Sequence, residues 1–444
     1  MARSGAERER GDLRGLLEEE GGAAGRPAES AAGEAPRSFS RRRFAQLLGA
    51  GMAGAGSLGP LGRLAAAGQR GAALGLTGQT AQAMPAPPST ATPGAAAGAP
   101  AAGPQGAAGS AMVRLSANEN PYGPSALALD AIRGSLGLSC RYPDEPVELL
   151  RDEIARQHGV DRQQVLLGAG SSEILKLCAL AFTGAAQPLV AAQPTFEALS
   201  TYARRQGAAT IAVPLTADFQ HDLPRMLAAA PAAALFYLCN PNNPTASLTS
   251  RGAVRAFLAS VPPRSVALVD EAYFHYVDDE DYESVVQLIE EHANLIVTRT
   301  FSKIYGMAGL RCGYAVARRE VIARLTEQQA FDSLNILAVA AARASLIDSD
   351  QIVHGRRINR ETRAAVCADL DRLGYRYIPS AANFLMIDLR RPVGPVIQAL
   401  KQRRVEVGRV FPALPNHLRV TVGTPEQMQA FGAAFRDTMA APAG

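Results

Sequence analysis

"RTFSKIYGMAGLRCGY", residues 299–314, sets one lysine, Lys303, between two arginines, Arg299 and Arg311, in a run of small, hydroxylated and apolar residues. Like charges held this close repel. A solvated basic loop has no need of Gly306, Gly309 and Gly313, or of the apolar residues between them. The pattern asks for an anion facing the arginines and for a lysine that is not a free ammonium.

Working outward, the segment is flanked by "NLIVTRT" and "CGYAVA", two short β-branched runs. Before them, runs of the same kind alternate with helical stretches: "QVLLG" then "SSEILKLCALAF", "PLVAAQP" then "TFEALSTYARRQG", then "ALFYLCN" and "SVALVD". Strand–helix alternation at this length predicts an α/β fold with a mostly parallel central sheet and helices on both faces. "YRYIPSAANFLMIDL" and "HLRVTVGT" read as strands around a helix at "PVGPVIQALKQRR", which predicts a smaller α+β domain at the C-terminus. The expected division is an N-terminal arm and large domain over 113–345 and a small domain over 346–444.

Residues 1–112 are of different material, dominated by Ala, Gly, Pro, Ser and Arg, and predict a disordered region with little to bury. Within it "SRRRFAQLLGAGMAGAGSLG" joins Arg41 and Arg42 to a weakly apolar run, and "AQA" at 81–83 offers small residues for cleavage. Residues 38–83 thus resemble a bacterial twin-arginine signal. That implies export to the periplasm by the twin-arginine machinery, with a cytoplasmic location as the alternative. The five cysteines, Cys140, Cys178, Cys239, Cys312 and Cys367, make no CxxC pair or zinc-type spacing, so no metal and no obligatory disulfide is expected. A formal net charge of +4 without a basic, aromatic-interleaved stripe gives no ground for a nucleic-acid partner.

The chemistry concentrates where strands end. "LLGAGSSEIL" delivers glycines and then Ser171 and Ser172 at the start of a helix, a place where free N–H groups and the helix dipole attract an anion. "YLCNPNNPTAS" places Asn243 in a rigid turn after a strand, and "ALVDEAYFHY" ends a buried run in Asp270, with Tyr273 close behind. Ligands of open α/β sheets bind at such ends. A carboxylate there needs a partner.

In their order, "LSANENPYGP", "RYPDEPVELLRDEIA", "GAGSSEIL", "NPNNPT", "DEAYFHY", "RTFSKIYGMAGLRCGY", "SAANFLMI" and "LRVTVGT" resemble the fold-type I pyridoxal-phosphate enzymes of the class I/II aminotransferases, nearest the histidinol-phosphate aminotransferase branch. The resemblance runs from residue 113 to about 437. It implies transfer of an amino group between an amino acid, or an amino-acid-like phosphate ester, and a 2-oxo acid. Lys303 would hold pyridoxal 5'-phosphate as a Schiff base, and Asp270 would pair with its ring nitrogen. Asn243 and Tyr273 would bond its phenolic oxygen, and Phe196 would stack on its ring. Arg311, Thr300, Ser302 and the Ser171 and Ser172 backbone would hold the phosphate. Tyr142 would reach the phosphate in the neighbouring subunit of a homodimer. Tyr122, Asn335, Arg409 and Arg419 would line the substrate side. Ala169 and Ala246 depart from the family's usual residues, as does "FDSLNILAVAAARASL". A decarboxylase of the phosphothreonine type shares nearly every motif and is the alternative, ahead of a non-catalytic binding module.

Overall fold

A strand covered on both faces reads as a near-continuous apolar run, and the strands quoted above for the large sheet do so up to their polar C-terminal ends. The computed structural model describes residues 112–440; the segment 38–83 read as an export signal lies outside them. The first strand is β1 (Val113–Leu115), followed by β2 (Val165–Gly168), β3 (Leu189–Gln193), β4 (Thr210–Pro214) and β5 (Leu235–Cys239). Next come β6 (Val266–Asp270), β7 (Leu295–Thr300) and β8 (Gly313–Ala317), then β9 (Arg376–Ile378), β10 (Phe384–Asp388), β11 (Val405–Val407) and β12 (His417–Thr421).

Seven strands form one sheet in the order β2-β8-β7-β6-β5-β3-β4. Only β8 opposes its neighbours; β3 through β7 pair in parallel. The expected mostly parallel sheet is therefore present, with "CGYAVA" as its one reversed strand. All five residues of β5 are buried, with Phe236 and Leu238 in the apolar layer on one face and Leu235, Tyr237 and Cys239 in the layer on the other. Helix Ser171–Phe182 belongs to the second layer through Ile174, Leu175 and Cys178.

A second, antiparallel sheet has the order β12-β10-β9, and β1 pairs in parallel with β11. Their core gathers Leu115, Leu385, Leu418, Val420, Phe431 and Phe435. The arm beginning at β1 thus runs from this second core to the end of the large sheet. It carries Ala117, Asn118 and Glu119 into the cleft described next.

Candidate active site

With β8 alone reversed, the C-terminal ends of the other strands lie along one edge, and the chain's chemistry-bearing residues follow those ends. Ser171 comes after β2, Phe196 after β3, Asn243 after β5, Tyr273 after β6 and Lys303 after β7; Asp270 is the last residue of β6 itself. Together with Ser172, Thr300, Ser302, Arg311 and Arg419 they line one cleft of about 310 Å³.

One end of the cleft is built for an anion. The Ser171 and Ser172 amides at the start of helix Ser171–Phe182 have no intrahelical acceptor and lie at the positive end of its dipole. Arg311, at φ +60°, lies over that helix end. A Cβ on Gly170 would come within 2.2 Å of Arg311 Nη2, and one on Gly313 within 2.5 Å of the Ser171 nitrogen. Both glycines are there to permit this approach. Arg311 Nη1 donates to Ser302 Oγ at 3.1 Å and to the Ala308 carbonyl at 3.0 Å. A guanidinium pressed against a helix N-terminus is unfavourable by itself and favourable around a phosphate dianion.

The other end is built for a protonated ring nitrogen and an aldehyde. Asp270 is 2% exposed, and burial pushes its carboxyl up to about 6, against the pull of the Tyr237 hydroxyl. Lys303 Nζ donates to the Asn118 carbonyl at 3.1 Å and to that of Ala117 at 3.4 Å. Burial, and then the nearby Arg419 charge, lower its ammonium to about 8. The Tyr273 hydroxyl accepts from Asn118 Nδ2 at 3.1 Å and from Asn243 Nδ2 at 3.2 Å. With both lone pairs taken, its own proton is free to be donated to a group in the cleft. Asn243 is oriented in turn by Arg419, whose Nη1 donates to its Oδ1 at 2.9 Å, while Nη2 donates to the Ser116 carbonyl at 2.7 Å.

Arg299 is the exception to the cluster that its sequence position suggests. It alternates with Thr300 along β7 and faces the opposite side of the sheet, where Glu271 binds it through Nε at 3.0 Å and Nη2 at 2.8 Å. Its guanidinium also lies 3.6 Å from the centre of the Phe274 ring. The lysine therefore has one arginine, not two, sharing its side of the "RTFSKIYGMAGLRCGY" segment, and that arginine faces the anion end.

The family model for class I and II aminotransferases matches residues 110–435. The chain belongs to that family. It is 41% identical to the histidinol-phosphate aminotransferase of Symbiobacterium thermophilum over 73% of this chain and 90% of that protein. The corresponding enzyme of Moorella thermoacetica is 38% identical over 74% of this chain and 86% of its own length. Among solved structures, the Sinorhizobium meliloti histidinol-phosphate aminotransferase in complex with pyridoxal-5'-phosphate has a TM-score of 0.69 at 26% identity. The match covers 74% of this chain and 91% of that one. This aminotransferase uses pyridoxal 5'-phosphate to move amino groups between amino and oxo acids. The donor set fits that cofactor, with an anion cradle at one end of the cleft, a buried carboxylate and a donating phenol in it, and an amine of lowered basicity between them.

Tyr142, expected at the neighbouring subunit's site, is 69% exposed on the segment after helix Ala126–Ser135. Three residues expected at this chain's own site lie elsewhere in the aminotransferase. Tyr122 lines a separate small cavity with Tyr276 and Asn383. Asn335 caps helix Ile336–Ile347, its Oδ1 accepting from the Ala338 amide at 2.8 Å, while its Nδ2 donates to the Leu310 carbonyl. Arg409 sits in a groove beside the cleft, paired with Glu197 at 2.6 Å and placed 4.4 Å from the Phe411 ring. Asn118 and Tyr237, which the sequence reading did not single out, hold the two catalytic candidates Tyr273 and Asp270. For Asn118 the one local signal was its place in the quoted "LSANENPYGP", where it adopts φ +54°.

Proposed function

We propose that the amino donor carries a second anionic group, a phosphate ester of the histidinol-phosphate type, and that a 2-oxo acid is the acceptor. Arg419 carries this reading. Its guanidinium faces the cleft with only neutral acceptors, Asn243 Oδ1 and the Ser116 carbonyl, and its buried Nε has no partner. Its ring neighbour Phe411, 5.0 Å away, also lies under Arg409, but that cation is already paired with Glu197, so anion capture falls to Arg419. A planar fork without a carboxylate of its own suits bidentate capture of a carboxylate or phosphate. The relatives' names supply the phosphate ester.

Bound pyridoxal phosphate supplies an aldehyde that takes up amines and a ring that withdraws electrons. In this reading Arg311, Ser302, Thr300 and the Ser171 and Ser172 amides hold its phosphate, and Phe196 covers its ring. Asp270 keeps a proton on the ring nitrogen, while Tyr273 and Asn243 bond the ring oxygen. Lys303, its basicity lowered towards the working pH, carries the proton between the substrate carbon and the cofactor. The partner subunit of a homodimer completes the site through Tyr142. The exposed apolar residues Leu127, Leu136 and Leu138 on the same stretch support that placement.

The test is Arg419→Lys assayed with a panel of phosphorylated and unphosphorylated amino donors, with products identified. The variant keeps the charge and loses the fork. It should cost about 1.5–3 kcal/mol in kcat/KM for anionic donors, the scale of one charge-assisted hydrogen bond, without loss of bound cofactor. Normal handling of every anionic donor by this variant, or release of carbon dioxide in place of an oxo product, defeats the reading.

We also propose that the protein is exported through residues 38–83, on the support of the paired Arg41 and Arg42 alone. Changing both to lysine should hold the active enzyme in the cytoplasm. Finding the unaltered protein wholly cytosolic with an uncleaved N-terminus rejects export.

A further inference from the structure

Tyr237 is 0% exposed, and its ring lies in the apolar layer with Leu235, Leu268 and Cys178. Phenylalanine would fill that space without bringing a hydroxyl into a dry core, where an unpartnered one is costly. Strand register explains what the hydroxyl does there. Between β5 and β6, Cys239 stands opposite Asp270 and Tyr237 opposite Leu268, so Tyr237 is the same-face diagonal neighbour of Asp270. A long aromatic side chain spans that diagonal, and the hydroxyl donates to Asp270 Oδ2 at 3.1 Å. The other oxygen, Oδ1, accepts from the Ala272 amide at 3.2 Å. The carboxylate is therefore tethered at both oxygens, and its remaining lone pairs face the cleft that it lines.

We propose that Tyr237 is the positioning residue for Asp270: its hydroxyl fixes the rotation of the carboxylate and keeps it charged, and so sets how firmly the enzyme holds a proton on the cofactor's ring nitrogen. Among the groups that hold the Asp270 carboxylate charged, Tyr237 pulls most strongly, ahead of the Thr298 hydroxyl and the Ala272 amide. Burial pushes the thiols of Cys178 and Cys239 up, so both stay neutral, and the Tyr273 hydroxyl is likewise raised by burial. Lys303 is the cation on the cleft side. Burial first, and then the Asp270 charge, hold the Tyr237 hydroxyl well above its usual range, so it keeps the proton that it donates to Asp270. Without it, Asp270 becomes a stronger base and a freer rotor, and draws the shared proton away from the ring.

The inference rests on reading Asp270 as the partner of the ring nitrogen, and the experiment separates the two. Holoenzyme is loaded with cofactor labelled with ¹⁵N in the ring, and the nitrogen resonance and cofactor dissociation constant are followed against pH. Tyr237→Phe should move the resonance towards its unprotonated position and weaken cofactor binding about tenfold, the effect of one hydrogen bond to a charged group. 4-Aminophenylalanine at position 237, which restores an N–H donor, should recover most of both. In an Asp270→Ala background Tyr237→Phe should change neither. If Asp270→Ala alone leaves the resonance unmoved, the role given to Asp270 is wrong. If Asp270→Ala moves it and Tyr237→Phe lowers only the melting temperature, Asp270 keeps its role and Tyr237 is merely structural.

Discussion

Lys303→Ala should abolish amino transfer, by at least about 10⁴-fold, the upper end of what one positioned proton-transfer group supplies. Cofactor should still enter the cleft, because the contacts at the anion end come from Arg311, Ser302 and the helix Ser171–Phe182, not from the lysine. The visible absorbance of lysine-bound cofactor should vanish while phosphate-dependent binding persists. The chain offers an internal check, since it has three lysines, Lys176, Lys303 and Lys401. In cofactor-free protein carrying ¹³C-methyl labels on its amines, one ε-signal should titrate near the lowered value of about 8. That signal should be missing from the variant. The sign follows from the cause: burial and Arg419 disfavour the ammonium, so the fraction of neutral amine, and with it the rate of cofactor capture, should rise as pH passes through about 8. Residual transamination at the original rate, or three signals that all titrate in the ordinary lysine range, removes Lys303 from this role.

Much of this site was legible because parallel sheets write themselves as apolar runs and collect their chemistry at one edge. Asp270, Asn243, Tyr273 and Lys303 each follow such a run within a few residues, and local sequence is enough to place them. Period-two alternation along β7 would also have turned Arg299 away from the cleft, as Leu295 and Val297 lie in the layer opposite Ile296. What was not legible depends on long-range geometry. Asn118 reaches Tyr273 across 155 positions of sequence because the arm leaves β1 in that direction. Tyr237 reads as one more apolar residue of a buried strand until the register sets it beside Asp270. Resemblance places Asn335 at the substrate, but the helix that follows it uses its side chain as a cap. Arg409 was likewise expected at the pocket, and nothing in the local sequence announces Glu197, 212 positions away, as its partner.

Asp270→Asn should separate what the fold wants from what the reaction wants. The side chain keeps its shape: Oδ1 still accepts from the Ala272 amide while the Tyr237 hydroxyl turns to accept from Nδ2, so the cleft is preserved, but no charge remains to hold a proton on the ring nitrogen. Turnover should fall by about 10²- to 10³-fold, the loss seen when one preorganised electrostatic contact is removed from an active site. Stability of the cofactor-free protein should move the other way. Burial raises the Asp270 carboxyl from 3.8 to about 6, so the folded state prefers it protonated. The stability that this preference contributes is complete below pH 3.8 and is lost as pH rises through 6. Asparagine is neutral throughout. The two apo-proteins should therefore match near pH 3.5, diverge between pH 4 and 6, and differ above that by on the order of 2–3 kcal/mol in favour of the variant. Adding cofactor should narrow or reverse the difference, because only the carboxylate gains a cationic partner. Denaturant unfolding at pH 4 and pH 8, with and without cofactor, measures all four values. An apo-variant no more stable than the parent at pH 8, or one that turns over normally, would show that the buried carboxylate is not the strained, functional charge of this cleft.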